Sequence, residues 1–382
     1  MIITKKMVAA LAITGSLIFA PALADTVKIG MNVPLTGFAA ADGKSALLGA
    51  ELAMEQANAE GGINGSKIEL VRYDDQASPK QSVPIANKLI GQDEVNIAIS
   101  GSYSGATRAA AGVFQSEGVP YISAFAVHPD ITKSGDYVFR TSFVGEVQGR
   151  AGAKLIGDTL GKKKVVVITL KNDFGQSLAA GFKSKAADFG IDILNEYEYS
   201  IKDRQFGPIV TKVKSDDPDA IYASGYFFTA GPLVSQLRAA GIEVPVIGQE
   251  GYDSEKFIEI AGPSSEGILI TTSLDRDSSV AVTKDFITAF EAKAGYKADM
   301  VAASGHTAIK VAVEAMRKAG TTDRQAIRDA IAATSLVTST GEISFNGLGE
   351  VKKDVQVQVV KDGAWHHYTV INDKELLAPP VE

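Results

Sequence analysis

The stretch VNIAISGSYSGATRAAAGVF, Val95 to Phe114, changes character at its middle. Val95, Ile97 and Ile99 alternate as in a strand, while Ala106, Ala109, Ala110, Val113 and Phe114 recur at helical spacing. A strand therefore runs into a helix, and Gly101, Ser102, Ser104 and Gly105 stand at the change. Small residues let the backbone pass close to another group, and the first turn of a helix leaves N–H groups without intrahelical partners. Such a switch favours an anion. The hydroxyls of Ser102 and Ser104, with the N–H groups of Gly105 to Thr107, are expected to meet a carboxylate or phosphate oxygen. The plainer reading is that Ser104 only caps the helix. No lysine follows the glycines in G-x-x-x-x-G-K-[ST] spacing, so a phosphate-cradling loop is not indicated.

Outward from this switch the same unit repeats. VKIGMNV (27–33), a helix over about Leu47 to Glu60, KIELVRY (67–73), a helix from Pro79 to about Gln92, the focal strand and helix, and VPYISA (119–124) alternate. After KVVVITL (164–170) the count starts again, through strands at 192–198, 219–224, 244–248 and 267–271 with helices between them. Strands alternating with helices of this length predict right-handed crossovers and parallel sheets covered on both faces. The fold class is therefore α/β, with two doubly wound halves. Late helices at 282–293, 300–319 and 324–333 need a sheet to cover, and GEISF (341–345) and VQVQVV (355–360) are the last strands before Trp365 to Val370. In open parallel sheets ligands sit beyond the carboxyl ends of the strands, so the loops there should share one cleft.

Lys5 and Lys6, the apolar run Met7 to Phe19, and Ala22-Leu23-Ala24 before Asp25 read as a secretory signal, residues 1–24, cleaved after Ala24. No other apolar run approaches the ~18 residues of a membrane span, so the protein is expected to be exported to the periplasm and released without membrane insertion. The formal charge of −7, without basic clusters, argues against nucleic acid or an anionic membrane surface as partner. There is no cysteine, hence no disulfide. A chain of 382 residues exceeds one typical core.

Three further constellations stand at strand ends. Glu250 follows an apolar strand between Gln249 and Gly251, where a carboxylate would pair with an ammonium; the alternative is an ordinary surface acid. Tyr226 with Phe227 and Phe228, and Phe174 in NDFG, offer aromatic faces for an aliphatic group or for rim packing. Enzyme signals are missing: there is no G-x-S-x-G elbow, and His128, His306, His366 and His367 lack metal-ligand spacing. His128 alone lies near the expected cleft, without a partner nucleophile. No metal or cofactor is expected.

VKIGMNVPLTG (27–37), LLGAELAMEQANAEGGINGSKIELVRYDDQASPKQSVPIANKLI (47–90), VFRTSFVGEVQG (138–149) and VPVIGQEGYDS (244–254) resemble the type I periplasmic solute-binding receptors of ABC transporters, in the branched-chain amino-acid group. The most specific portion is AEGGINGSKIELVRYDD (59–75). The resemblance implies two lobes joined by three crossovers, with residues 25–145 plus 275–352 in one and 146–274 plus 353–382 in the other. It implies a non-enzymatic, monomeric receptor that closes over an amino acid and delivers it to a permease. Alternatives are a receptor for another small carboxylate, such as an ω-amino or aromatic acid, or a sensory ligand-binding protein. A secreted amide or ester hydrolase using Ser104 and His128 is the enzymatic competitor. By the resemblance, Ser104, Gly105 and Thr107 at the helix start hold the ligand carboxylate, while the Phe125 carbonyl, Tyr226 and Glu250 receive the α-ammonium. The chain departs from the pattern where Val127 replaces a threonine, Phe174 a tyrosine, an aromatic at the pocket mouth is replaced near Asp42, and Ala77 and Tyr103 replace a cysteine pair. Asp42, Tyr103, Val127 and Phe174 are thus expected to set ligand identity.

Overall fold

The computed structural model describes residues 26–381, so the expected signal at 1–24 lies outside the described residues. The first sheet takes its strands from β1 (Val27–Val33), β2 (Ile68–Asp74), β3 (Ile97–Ser100), β4 (Tyr121–Ser123) and β5 (Val138–Arg140), in the order β2-β1-β3-β4-β5 and parallel throughout. The helices between them are α1 (Ala40–Ala59), α2 (Pro79–Gly91) and α3 (Ser104–Ser116). Helix α1 starts seven residues before the expected Leu47, which puts Asp42 in a first helical turn, where a carboxylate suits the helix dipole.

The chain then crosses into a second unit: α4 (Gly145–Lys154), β6 (Lys164–Leu170), α5 (Asp173–Ala186), β7 (Asp192–Tyr199), α6 (Gly207–Asp216), β8 (Ala220–Ala223), α7 (Phe227–Ala239), β9 (Val246–Gln249), α8 (Glu255–Ala261) and β10 (Leu269–Thr272). Val165 to Ile168 of β6 are fully buried, as a parallel strand covered on both faces requires. Helices α9 (Ala281–Ala294), α10 (Met300–Ala319) and α11 (Arg324–Ala332) return to the first unit. β11 (Ser335–Thr338) and β12 (Gly341–Ser344) form a separate hairpin, so GEIS joins neither main sheet. β13 (Val355–Lys361) and β14 (Ala364–Ile371) complete a seven-stranded sheet, β14-β13-β10-β9-β8-β6-β7. These two run antiparallel, unlike the rest. The turn between them explains why: Asp362 and Gly363 both take positive φ, 52° and 73°, and such an Asp-Gly pair closes a two-residue hairpin.

Two doubly wound lobes result, and each is held by one helix pair packed through glycines. A Cβ at Gly49 of α1 would lie 2.1 Å from the Ala302 carbonyl oxygen of α10, and one at Gly305 2.3 Å from that of Ala46. In the second lobe, Gly149 of α4 and Gly181 of α5 meet the Leu178 and Glu146 carbonyls in the same way, each at 2.2 Å.

The crossings are tied to one another. Lys353 Nζ donates to the Thr141 carbonyl at 3.3 Å, and Gln148 Nε2 donates to the Thr271 carbonyl at 2.8 Å. Arg140, fully buried at the end of β5, forms a two-pronged ion pair with Glu350, 3.0 Å from Nε to Oε2 and 3.0 Å from Nη2 to Oε1. Thr132 donates its hydroxyl to the same carboxylate. Removing one partner of a buried pair leaves an uncompensated charge, so Glu350→Ala should lower unfolding stability by about 3–5 kcal/mol. Glu196→Ala, which removes an exposed pair with Lys183, should cost less than ~1 kcal/mol. Urea or thermal denaturation of the two variants checks the contrast.

Candidate functional site

Helix α3 begins at Ser104, preceded by Tyr103 in extended conformation. The Ser104 side chain does not cap this helix; its Oγ accepts the Val127 N–H at 3.2 Å. Among the described residues, the N–H groups of Ser104, Gly105 and Ala106 find no acceptor, whereas Thr107 N–H reaches the Tyr103 carbonyl at 3.0 Å. The Thr107 hydroxyl is also taken up, 2.6 Å from Ser100 Oγ and 3.1 Å from the Ser102 carbonyl oxygen. Ser102 donates its hydroxyl to Asp75 at 3.0 Å, beneath the loop. Only the helix start itself is left with free donors.

Most carbonyls of the loop after β4 are taken up. The Ala124 carbonyl accepts from the Thr141 hydroxyl, Ala126 from Arg140 Nη1 and Ser123, Val127 from the Gly145 N–H, and His128 from Arg140 Nη2 and the Ile131 N–H. Among the described residues, the Phe125 carbonyl alone in this run accepts nothing. Its environment is selected by its neighbours' bonds.

From the facing lobe come three groups. Phe174 sits in the first turn of α5, where Asn172 Oδ1 accepts the Gly175 N–H at 2.9 Å and starts the helix at Asp173. Tyr226 precedes α7, and its ring stacks on Tyr103 across the cleft, 4.0 Å between centroids and 2° between planes; Phe174 stacks behind it at 4.8 Å. Glu250 opens a short 3-10 turn after β9. Gly251 is forced there, because a Cβ would lie 2.2 Å from the Gly225 carbonyl oxygen. The Glu250 carboxyl, 3% exposed, accepts no hydrogen bond among the described residues. Burial pushes its pKa up to about 8, with the Lys353 charge opposing and Asp253 adding to the rise. Burial likewise pushes Lys353 down, against the Glu250 charge.

Asp42, Tyr103, Ser104, Phe125, Phe174, Tyr226 and Glu250 line one small cavity, completed by Ala126, Gly251, Met300 and Val301. Gly105 instead lines a wider groove outside the Tyr103–Tyr226 stack, beside Arg108 and Asp173. Val127 and Thr107 are buried away from the cavity. Met300 and Val301, at the start of α10, had no signal in the sequence; their place follows from the return of a late helix against α1. Asp42 is 6% exposed, receives the Tyr103 hydroxyl on Oδ2 at 2.7 Å, and is pushed by burial up to about 7, Asp299 and Asp253 adding to the rise. His128 caps a short 3-10 helix, its Nδ1 accepting the Asp130 N–H at 3.3 Å, and does not line the cavity. It is therefore no base for Ser104.

The two lobes meet over a small cavity, with a free N–H donor at Ser104 on one wall and, among the described residues, an unpartnered carboxyl at Glu250 on the other. The family model described as periplasmic binding protein matches residues 26–364, and the chain belongs to that family. It is 32% identical over 351 residues to the leucine-, isoleucine-, valine-, threonine- and alanine-binding protein of Pseudomonas aeruginosa, covering 91% of this chain and 93% of the relative. The branched-chain amino acid transporter substrate binding protein LivJ of Streptococcus pneumoniae, solved with isoleucine, superposes with a TM-score of 0.86 at 29% identity, covering 91% of this chain and 99% of that one. The leucine binding protein LivK of Thermotoga maritima gives 0.85 at 28% identity, with the same coverages. Among the described residues, no helix is long and apolar enough to cross a membrane.

A carboxyl whose folded pKa exceeds its unfolded value binds protons more tightly when folded, so its ionisation costs stability as pH rises between the two. For Asp42 that window runs from 3.8 to about 7. Ligand-free Asp42→Asn should therefore be more stable than the parent at pH 8, by about 2–4 kcal/mol, with the advantage fading toward pH 4. Thermal melts across pH measure it.

Proposed function

We propose that the protein binds a zwitterionic α-amino acid between its lobes and presents it to the permease of an ABC transporter in the periplasm. The carrying observation is the pairing of opposite, unanswered groups on facing walls: the N–H groups at the start of α3 on one side, and the Glu250 carboxyl on the other. A ligand carboxylate meets Ser104, the one residue of the α3 start that lines the cavity, where the helix dipole adds to its free N–H. The ammonium meets Glu250, the Phe125 carbonyl and Tyr226. An ammonium, charged at neutral pH, beside Glu250 keeps that group ionised despite its burial, so binding at neutral pH releases a proton. Relatives whose names specify leucine, isoleucine or valine support an amino acid as the solute.

Closure is a hinge motion of one lobe, 25–145 plus 275–352, against the other, 146–274 plus 353–382, about the three crossings. The Tyr103–Tyr226 stack and the Arg108–Asp173 ion pair, 2.9 Å long, join the lobes in this closed form. The protein works as a monomer, exported by the signal at 1–24.

Titration calorimetry with the free amino acids tests the reading. At least one should bind in the micromolar range or tighter. Glu250→Gln should weaken it by at least ~100-fold, as loss of one member of a buried charge pair does, and Ser104→Ala by roughly tenfold. Absence of binding by every amino acid, or an unchanged affinity in Glu250→Gln, overturns it.

A further inference from the structure

Asp42 is not needed by the scheme above. It comes from the first turn of α1, beside Met300 and Val301 of α10, elements that carry neither the α3 donors nor Glu250. It nevertheless lines the same cavity, 94% buried, with one oxygen occupied by the Tyr103 hydroxyl and Oδ1 accepting no hydrogen bond among the described residues. Among the described residues no lysine or arginine pairs with it; the charged groups that act on it are the carboxylates of Asp299 and Asp253. Both of those are answered elsewhere, Asp299 by the Ser45 hydroxyl at 2.6 Å and the Ala302 N–H at 2.8 Å, and Asp253 by Arg276 and the Thr272 hydroxyl. Asp42 is thus an acceptor in the wall of the cavity with no protein donor left to fill it.

We propose that Asp42 selects the ligand's side chain: the bound amino acid carries a hydrogen-bond donor there, a hydroxyl, carboxamide or ammonium, which meets Asp42 Oδ1. This rests on the amino-acid reading of the site. The physical reason is the cost of the alternative. An apolar side chain against Asp42 would exclude water from a polar group and return nothing, whereas a donor completes its hydrogen bonding. Sites built to bond a ligand donor reject the analogue lacking it far more strongly than apolar pockets reject a change of size. Met300, Val301 and Phe174 give the rest of the wall an apolar lining. The favoured ligand therefore has a short aliphatic stem and a polar tip.

Calorimetry of the full chain against leucine, isoleucine and valine on one side, and threonine, glutamine, asparagine and lysine on the other, tests this directly. The expected result is that a donor-bearing amino acid binds at least ~30-fold tighter than its apolar near-isostere. Asp42→Leu should reverse the order. Asp42→Asn, which keeps an acceptor for the Tyr103 hydroxyl, serves if the leucine variant does not fold, and should lose tenfold or more of the preference for an ammonium over a carboxamide. Tighter binding of leucine, isoleucine or valine, unaltered in either variant, overturns the selectivity while leaving the amino-acid reading intact. Failure of every amino acid to bind overturns both.

Discussion

A single guanidinium holds the site together. Arg140 is buried without solvent contact, and taking a charge out of water is tolerable only when it is paired and its donors are all used. Glu350 supplies the charge and accepts two of the donors, and the Ala126 and His128 carbonyls accept two more. The end of β5 and the loop after β4 are thereby joined to the approach to the third crossing, 210 positions away. The loop's conformation is then set, and with it the exposure of one carbonyl. Phe125 is left open because its neighbours are bound.

Around that frame the cleft has divided its chemistry between lobes. The first lobe contributes free donors at the α3 helix start, and the second contributes a carboxyl that burial would rather keep protonated. Neither half is satisfied among the described residues. Under the proposed function a dipolar ligand would supply what each half lacks, which gives closure on a solute its thermodynamic basis. The Ser104 hydroxyl, engaged by the Val127 backbone, has no base beside it, so the geometry positions and does not activate.

Much of this was readable before any coordinates. The alternation of strand and helix, restarting at Lys164, announces two doubly wound halves, because apolar period two and period 3.6 are local properties of side-chain spacing. Ser104, Tyr226 and Glu250 were visible as residues at strand ends, where the fold class puts ligands. The antiparallel pair β13–β14 is legible too, in the Asp362-Gly363 turn, whereas the alternating valines show a strand without its partner. The separate hairpin β11–β12 was not, since a four-residue strand chooses its partner by tertiary packing.

By itself, then, the sequence determined the order of elements, the helix start that offers N–H groups, and the identity of the charged residues available to a site. It could not say which of these would be consumed. Thr107 and Ser102 look as well placed as Ser104, yet their hydroxyls are spent on Ser100, the Ser102 backbone and Asp75. Glu250 and Asp42 resemble surface acids, yet folding buries both without a cation of their own. Arg140 and Glu350 lie 210 positions apart, and only folding brings them together. Satisfaction of a polar group depends on every neighbour in three dimensions, and that is the property the tertiary structure decided.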